Sequence, residues 1–190
     1  MVHVMGEPAQ TIPWTYEDYL LFPEDGKRYE IVEGDCYMSP SPSTRHQKIS
    51  FRLGYLLQDY LQSTKAGEAF DAPTDVVLSA TNIVQPDLLV ILVARTSIIT
   101  EKNIQGAPDM VIEILSETTR KMDEVVKKKL YERYGVLEYW IVDPDLALVK
   151  IYRLIDGRYG RAEERAQERG ETLTTVLLPD LDISLTKLFT

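Results

Sequence analysis

The middle of the chain is built from nearly unbroken runs of Val, Ile and Leu, and these decide which folds are open to it. Residues 88–93 read LLVILV and 110–115 read MVIEIL. Strands apolar on successive residues are strands covered on both faces, so the chain must supply layers to cover them. Strand-like runs lie at 74–78, 82–93, 110–115, 138–142 and 149–154. The covering helices are legible too. Over 45–61, Ile49, Leu53, Leu56, Leu57, Tyr60 and Leu61 recur at helical spacing, and His46 falls on the same inward stripe. A second helix lies between Ser116 and Gly135, with Met122, Val126 and Leu130 as its buried stripe and Gly135 as its stop. Before them come a short helix from Thr15, ended by Pro23, and a hairpin of 28–32 and 36–38 around a Gly34 turn. Pro40 to Ser43 break that pattern and provide a serine cap for the helix at 45–61. The reading is one mixed α/β domain over 1–190, with a loose arm at 1–11.

Composition narrows the function. At 190 residues, 44% hydrophobic and 27% charged, the chain is long and apolar enough for a core, and wholesale disorder is excluded. A net charge of −9 argues against coating nucleic acid by bulk electrostatics, yet leaves room for a local phosphate site. Cys36 is the single cysteine, and His3 and His46 are the only histidines, so neither an internal disulfide nor a Cys/His zinc cluster can form. The longest apolar run, 88–94, is far short of a membrane span. The opening MVHVMGEPAQ has no basic patch followed by an apolar stretch, so a cytoplasmic protein is expected.

Two carboxylates interrupt the apolar strands. Asp87 follows Pro86 in IVQPDLLVI, and Glu113 sits in MVIEILS. An ionised carboxylate in such a place is costly unless it is paired or bound to a metal. Their separation of 26 residues fits neighbouring strands, where two hard oxygens together would select Mg²⁺ or Mn²⁺ over zinc. Pro86 cannot donate to a ladder, which implies a bulge that re-aims Asp87. Taken singly, each acid is more simply a strand-end or ion-pair residue. Glu30, interrupting a hairpin strand, is a further metal-ligand candidate or a salt-bridge partner of Arg28 or Lys27. His46 is a candidate to hydrogen-bond a metal-bound water or a carboxylate.

Residues 29–143 resemble the Uma-two family of restriction-type endonucleases within the PD-(D/E)xK superfamily. The matching pieces are Tyr29-Glu30-Ile31-Val32-Glu33-Gly34, His46-Gln47, Pro86-Asp87-Leu88 and Glu113-Ile114-Leu115-Ser116. Asp123, Lys127 and Tyr131 follow at four-residue spacing, then Gly135-Val136 and Glu138-Tyr139-Trp140-Ile141-Val142-Asp143-Pro144. The resemblance implies a restriction endonuclease-like fold, a central mixed β-sheet of four to five strands flanked by helices. It implies Asp87, Glu113 and the backbone carbonyl of Ile114 as metal ligands, and hydrolysis leaving a 5′-phosphate. In the superfamily the lysine stands two residues after the acid, and here that position is Leu115. The resemblance moves it to Lys127. The simpler account of Lys127 is an exposed ion pair with Asp123 one turn earlier, and of Tyr131, packing.

The leading expectation is thus a Mg²⁺-dependent endonuclease acting on DNA, working as a homodimer because two related sites suit a duplex. The competing expectation is a catalytically silent module that keeps the fold and binds nucleic acid or a protein partner. A serine hydrolase built on Ser116 and His46 lacks the G-x-S-x-G elbow. The strand-like tail 173–178 is left to pair either within the chain or across a dimer.

Overall fold

The structure is a computed structural model that describes residues 12–23 and 25–190. The expected arm at 1–11, with His3, lies outside the described residues. The short first helix α1 (Tyr16–Tyr19) opens on a capping box, in which Thr15 and Asp18 satisfy each other's backbone donors. The hairpin follows as β1 (Arg28–Val32) and β2 (Asp35–Ser39). Its two-residue turn has positive φ at Glu33 and Gly34, the combination whose twist matches the strands. Ser43 caps α2 (Thr44–Thr64) by accepting from the His46 N–H.

Then come β3 (Gly67–Asp71), β4 (Val76–Ser79), β5 (Asn82–Val84), β6 (Leu88–Leu92), β7 (Ile104–Gln105) and β8 (Met110–Ile114). A π-helical stretch, Met122–Lys127, runs into α3 (Lys128–Tyr134), which Gly135 ends in the left-handed conformation. The remainder is β9 (Glu138–Asp143), β10 (Leu148–Ile155), β11 (Arg158–Tyr159), β12 (Glu163–Ala166), β13 (Thr172–Leu173), β14 (Ile183–Ser184) and α4 (Leu185–Phe189).

These strands form two principal sheets where one was expected. The larger, seven-stranded, runs β11-β10-β9-β8-β6-β3 with β12 alongside β10, and it is mixed because β8 and β9 are parallel. The smaller runs β2-β1-β5-β4-β7. The run at 82–93 is not one strand: it leaves the small sheet after Val84 and joins the large one at Leu88. Pro86, lacking an N–H, stands in that crossover.

Strand alternation sorts the core into two layers. Leu88, Val90, Ile112, Ile114 and Trp140 face α2 and the C-terminal segment. Leu89, Ile91, Val111, Leu115 and Ile141 face α3 and the small sheet. The tail pairs within the chain, Leu173 with Ile183, and of residues 173–178 only Leu173, in β13, is strand.

The second helix corrects its sequence reading. Met122 and Val126 are only partly buried, whereas Asp123, Lys127, Leu130 and Tyr131 are buried. A π turn is wider than an α turn, so the inward stripe is displaced towards the charged positions.

Candidate active site

The register that sets Leu88 against Ile112 and Leu89 against Val111 continues to put Asp87 opposite Glu113. Both belong to the odd-numbered set facing α3 and the small sheet, so the two carboxylates converge. The same register puts Pro86 opposite Ile114. Without a proline N–H, the Ile114 carbonyl has no donor from that strand, and the Ile114 N–H donates instead to Asp87 Oδ2 at 2.9 Å. In a strand the N–H and C=O of one residue face the same neighbour, so this carbonyl also faces the Asp87 side.

Asp87 is heavily partnered. Arg28 Nη1 donates to Oδ1 at 3.1 Å, and His46 Nε2 lies 3.0 Å from Oδ2. Burial pushes its pKa up, but the His46 hydrogen bond and charge, the Ile114 N–H and Arg28 outweigh it and hold the carboxyl below its usual range. Glu113 shows the opposite balance. Burial lifts its pKa to about 8 against the pull of Lys127, and the neighbouring acids add to the rise. Its Oε1 accepts from Lys127 Nζ at 3.0 Å and from the Tyr131 hydroxyl at 2.8 Å. Oε2 is turned towards Asp87, whose N–H approaches it at 3.4 Å.

Lys127 is buried, not solvated. Its ammonium lies 2.8 Å from Glu30 Oε1, 3.0 Å from Glu113 Oε1 and 3.7 Å from Asp123 Oδ1. Burial disfavours its charge, yet Glu113, Glu30 and Asp123 together hold its pKa well above the usual lysine value. Asp123, also buried, is pushed up to about 6. Glu30 comes from the small sheet and accepts the Gln85 N–H at 2.7 Å, so its partner is Lys127 rather than Arg28 or Lys27. Tyr131 does more than pack, since its hydroxyl donates to Glu113.

The six side chains named from the sequence therefore meet in one place, Tyr131 behind Glu113 and the other five around one cavity. Glu30, His46, Asp87, Glu113 and Lys127, joined by Arg28, line a space of about 230 Å³ roofed by Ser39–Ser43 and residues 116–119. What the sequence reading missed was Arg28, considered only as a partner of Glu30, and Asp123 as a buried member of the cluster.

Among the described residues no three His, Cys, Asp or Glu side chains form a ready-made metal cluster. The donor set is two carboxylates and a carbonyl, all hard oxygens. That set fits a small hard cation that keeps several waters, as Mg²⁺ does, and not a metal needing a full protein cage.

A family model described as "Uma2: Putative restriction endonuclease" matches residues 16–186. The chain belongs to that family. The Uma2 match thus extends beyond the 29–143 segment that carries the resemblance and takes in the C-terminal elements. One similar solved structure, from Anabaena variabilis ATCC 29413, is described as "a putative nuclease belonging to DUF820". It is 22% identical, with 93% of this chain and 98% of that one covered and a TM-score of 0.79, so the two share a fold. No curated protein matches the chain. No helix among the described residues is long and apolar enough to cross a membrane.

Proposed function

We propose that this Uma2 protein is a divalent-metal-dependent endonuclease that hydrolyses DNA, with Asp87, Glu113 and the Ile114 carbonyl as metal ligands and Lys127 as the catalytic cation. One observation carries the reading: two carboxylates opposed on neighbouring strands, with a buried lysine against one of them, in one cavity. Mg²⁺ or Mn²⁺ bound there would supply Lewis-acid polarisation of the scissile phosphate and a more acidic water.

The chain's own side chains prepare that site. Asp87 is held ionised, ready to accept a cation without first losing a proton. Oε1 of Glu113 is occupied by Lys127 and Tyr131, which leaves Oε2, on the Asp87 side, as the oxygen with room for an ion. Glu30 and Asp123 fix Lys127, so its positive charge stands beside the reacting phosphate at no cost in reorganisation. His46 and Tyr131 are positioning residues for the two carboxylates. A cytoplasmic homodimer would give a duplex two such sites.

One observation favours the second reading, a catalytically silent module: both carboxylates already have cationic partners. A calorimetric Mn²⁺ titration separates the two. The wild type should bind Mn²⁺, Asp87→Asn and Glu113→Gln should lose it, and plasmid cleavage should follow the metal. A wild type that binds no Mn²⁺ sinks the nuclease and leaves the silent module.

A further inference from the structure

We propose that Arg28 is the phosphate-binding residue of this site, holding Asp87 with one arm of its guanidinium and the incoming nucleic-acid backbone with the other. The proposal rests on the nuclease reading for the identity of its ligand. The available donors point to Arg28 by subtraction. The Lys127 ammonium is buried, within hydrogen-bond reach of Glu30 and Glu113 and 3.7 Å from Asp123, so it is committed to those carboxylates rather than to a phosphate outside the cluster. Arg28 is the other Lys or Arg lining the cavity, and its side chain keeps 25% of its surface exposed. Among the described residues only its Nη1 has a partner, Asp87 Oδ1. The remaining donors of a planar fork suited to phosphate are open.

Its position fits the path a strand must take. A second cleft, of about 550 Å³, adjoins the first. Arg28, His46, Asp87 and the turn 39–42 line both, and Lys27 lines the outer one. A backbone lying in the outer cleft runs past Lys27, Arg28 and Asp87, all of which line it. Because Arg28 opens β1 and is paired with Ser39 in the hairpin, its guanidinium is carried by a strand rather than a mobile loop.

The test uses a fluorescent single-stranded oligodeoxynucleotide in EDTA, where nothing is cleaved, read by anisotropy across a salt series. Arg28→Met should weaken binding about ten-fold or more. It should also lower the salt slope by about 0.7, the value of one phosphate contact on a single strand. Arg28→Lys should keep the slope and lose only part of the affinity. In an Asp87→Asn background the loss on Arg28→Met should persist, because the contact is with the phosphate and not made through Asp87. Without oligonucleotide, Arg28→Met should bind Mn²⁺ as tightly as the wild type or more so, with Asp87 relieved of a competing cation.

Unchanged oligonucleotide affinity and slope in Arg28→Met, beside a wild type that binds, overturns the proposal and leaves the nuclease reading standing. A loss that vanishes in the Asp87→Asn background overturns it too, making Arg28 a structural partner. A wild type that binds no oligonucleotide overturns the Arg28 proposal as well, while the nuclease reading stands or falls separately on the Mn²⁺ titration and plasmid cleavage.

Discussion

Asp109 stands immediately before β8 and Glu113 near its far end, and both are almost fully buried. Asp109 is matched one to one: Arg95 Nη1 donates to Oδ1 at 3.1 Å and the Leu92 N–H to Oδ2 at 2.8 Å. Glu113 shares a single buried lysine with Glu30 and Asp123, and faces a fourth acid in Asp87. One end of the strand is a closed pair, while the other crowds four acids around Lys127 and Arg28 and holds the Glu113 carboxyl with its pKa raised to about 8. A closed pair locks a loop to a sheet. Such crowding has no structural use that a hydrophobic side chain would not serve better, which is what marks this end of the strand as the candidate functional one.

The largest effect should separate the two ends by activity. Glu113→Gln should lower nuclease turnover by about 10³-fold or more, while Asp109→Asn leaves it unchanged in the folded protein. Equal losses from both variants would erase the distinction. Next in size is the loss of the shared cation. Lys127→Met strands three buried carboxylates and should cost about 3–5 kcal/mol in urea unfolding. Adding Glu30→Gln should return part of that loss, and no recovery would mean that Lys127 acts by packing. Asp109→Asn should cost less, about 1.5–3 kcal/mol, the scale of a charge-assisted hydrogen bond.

The smallest effect concerns Asp143, at the end of β9. Burial raises its pKa, but Arg120 and the N–H groups of Leu146 and Asp145 hold it below the usual range. A depressed carboxyl adds stability above its unfolded pKa of about 3.9, and that stability is lost as pH falls below it. Asp143→Asn should flatten this acid limb, measured by denaturation between about pH 2 and 5, and should leave the behaviour above that window alone.

Much of the site could be read from the sequence because its members break patterns. Asp87 and Glu113 are the acids that interrupt apolar runs, and their separation of 26 residues suits neighbouring strands, though the register that puts them on one face is visible only in the structure. His46 lay on a recognisable helix face, whereas Lys127 was reached through the family resemblance and reads from the sequence alone as an exposed partner of Asp123. Arg28 broke no pattern: a basic residue at the start of a hairpin is ordinary, and its partner lies 59 residues away. The buried rank of the second helix was misread by one position, since helical periodicity assumes an α turn and the π turn at Met122–Lys127 is wider. The second sheet was hidden for another reason. Its strands β1, β2, β4 and β5 were legible, but the run 82–93 reads as one strand and so conceals the crossover that divides the two sheets, while the two-residue β7 carries too little side-chain signal to register.

The crossover at Gln85–Asp87 has a consequence for how the molecule is made. It ties two sheets together at the point where the acids meet, and the contacts that balance those acids span 59, 41 and 26 residues of chain. Loops of that length close late, after local helices and hairpins have formed. Until β1 docks, Asp87 lacks its arginine and Lys127 lacks Glu30, so the large sheet must assemble around unbalanced charge. The cluster is therefore a checkpoint on assembly: a chain cut before β2 would keep every strand of the large sheet and still fail to build a competent site.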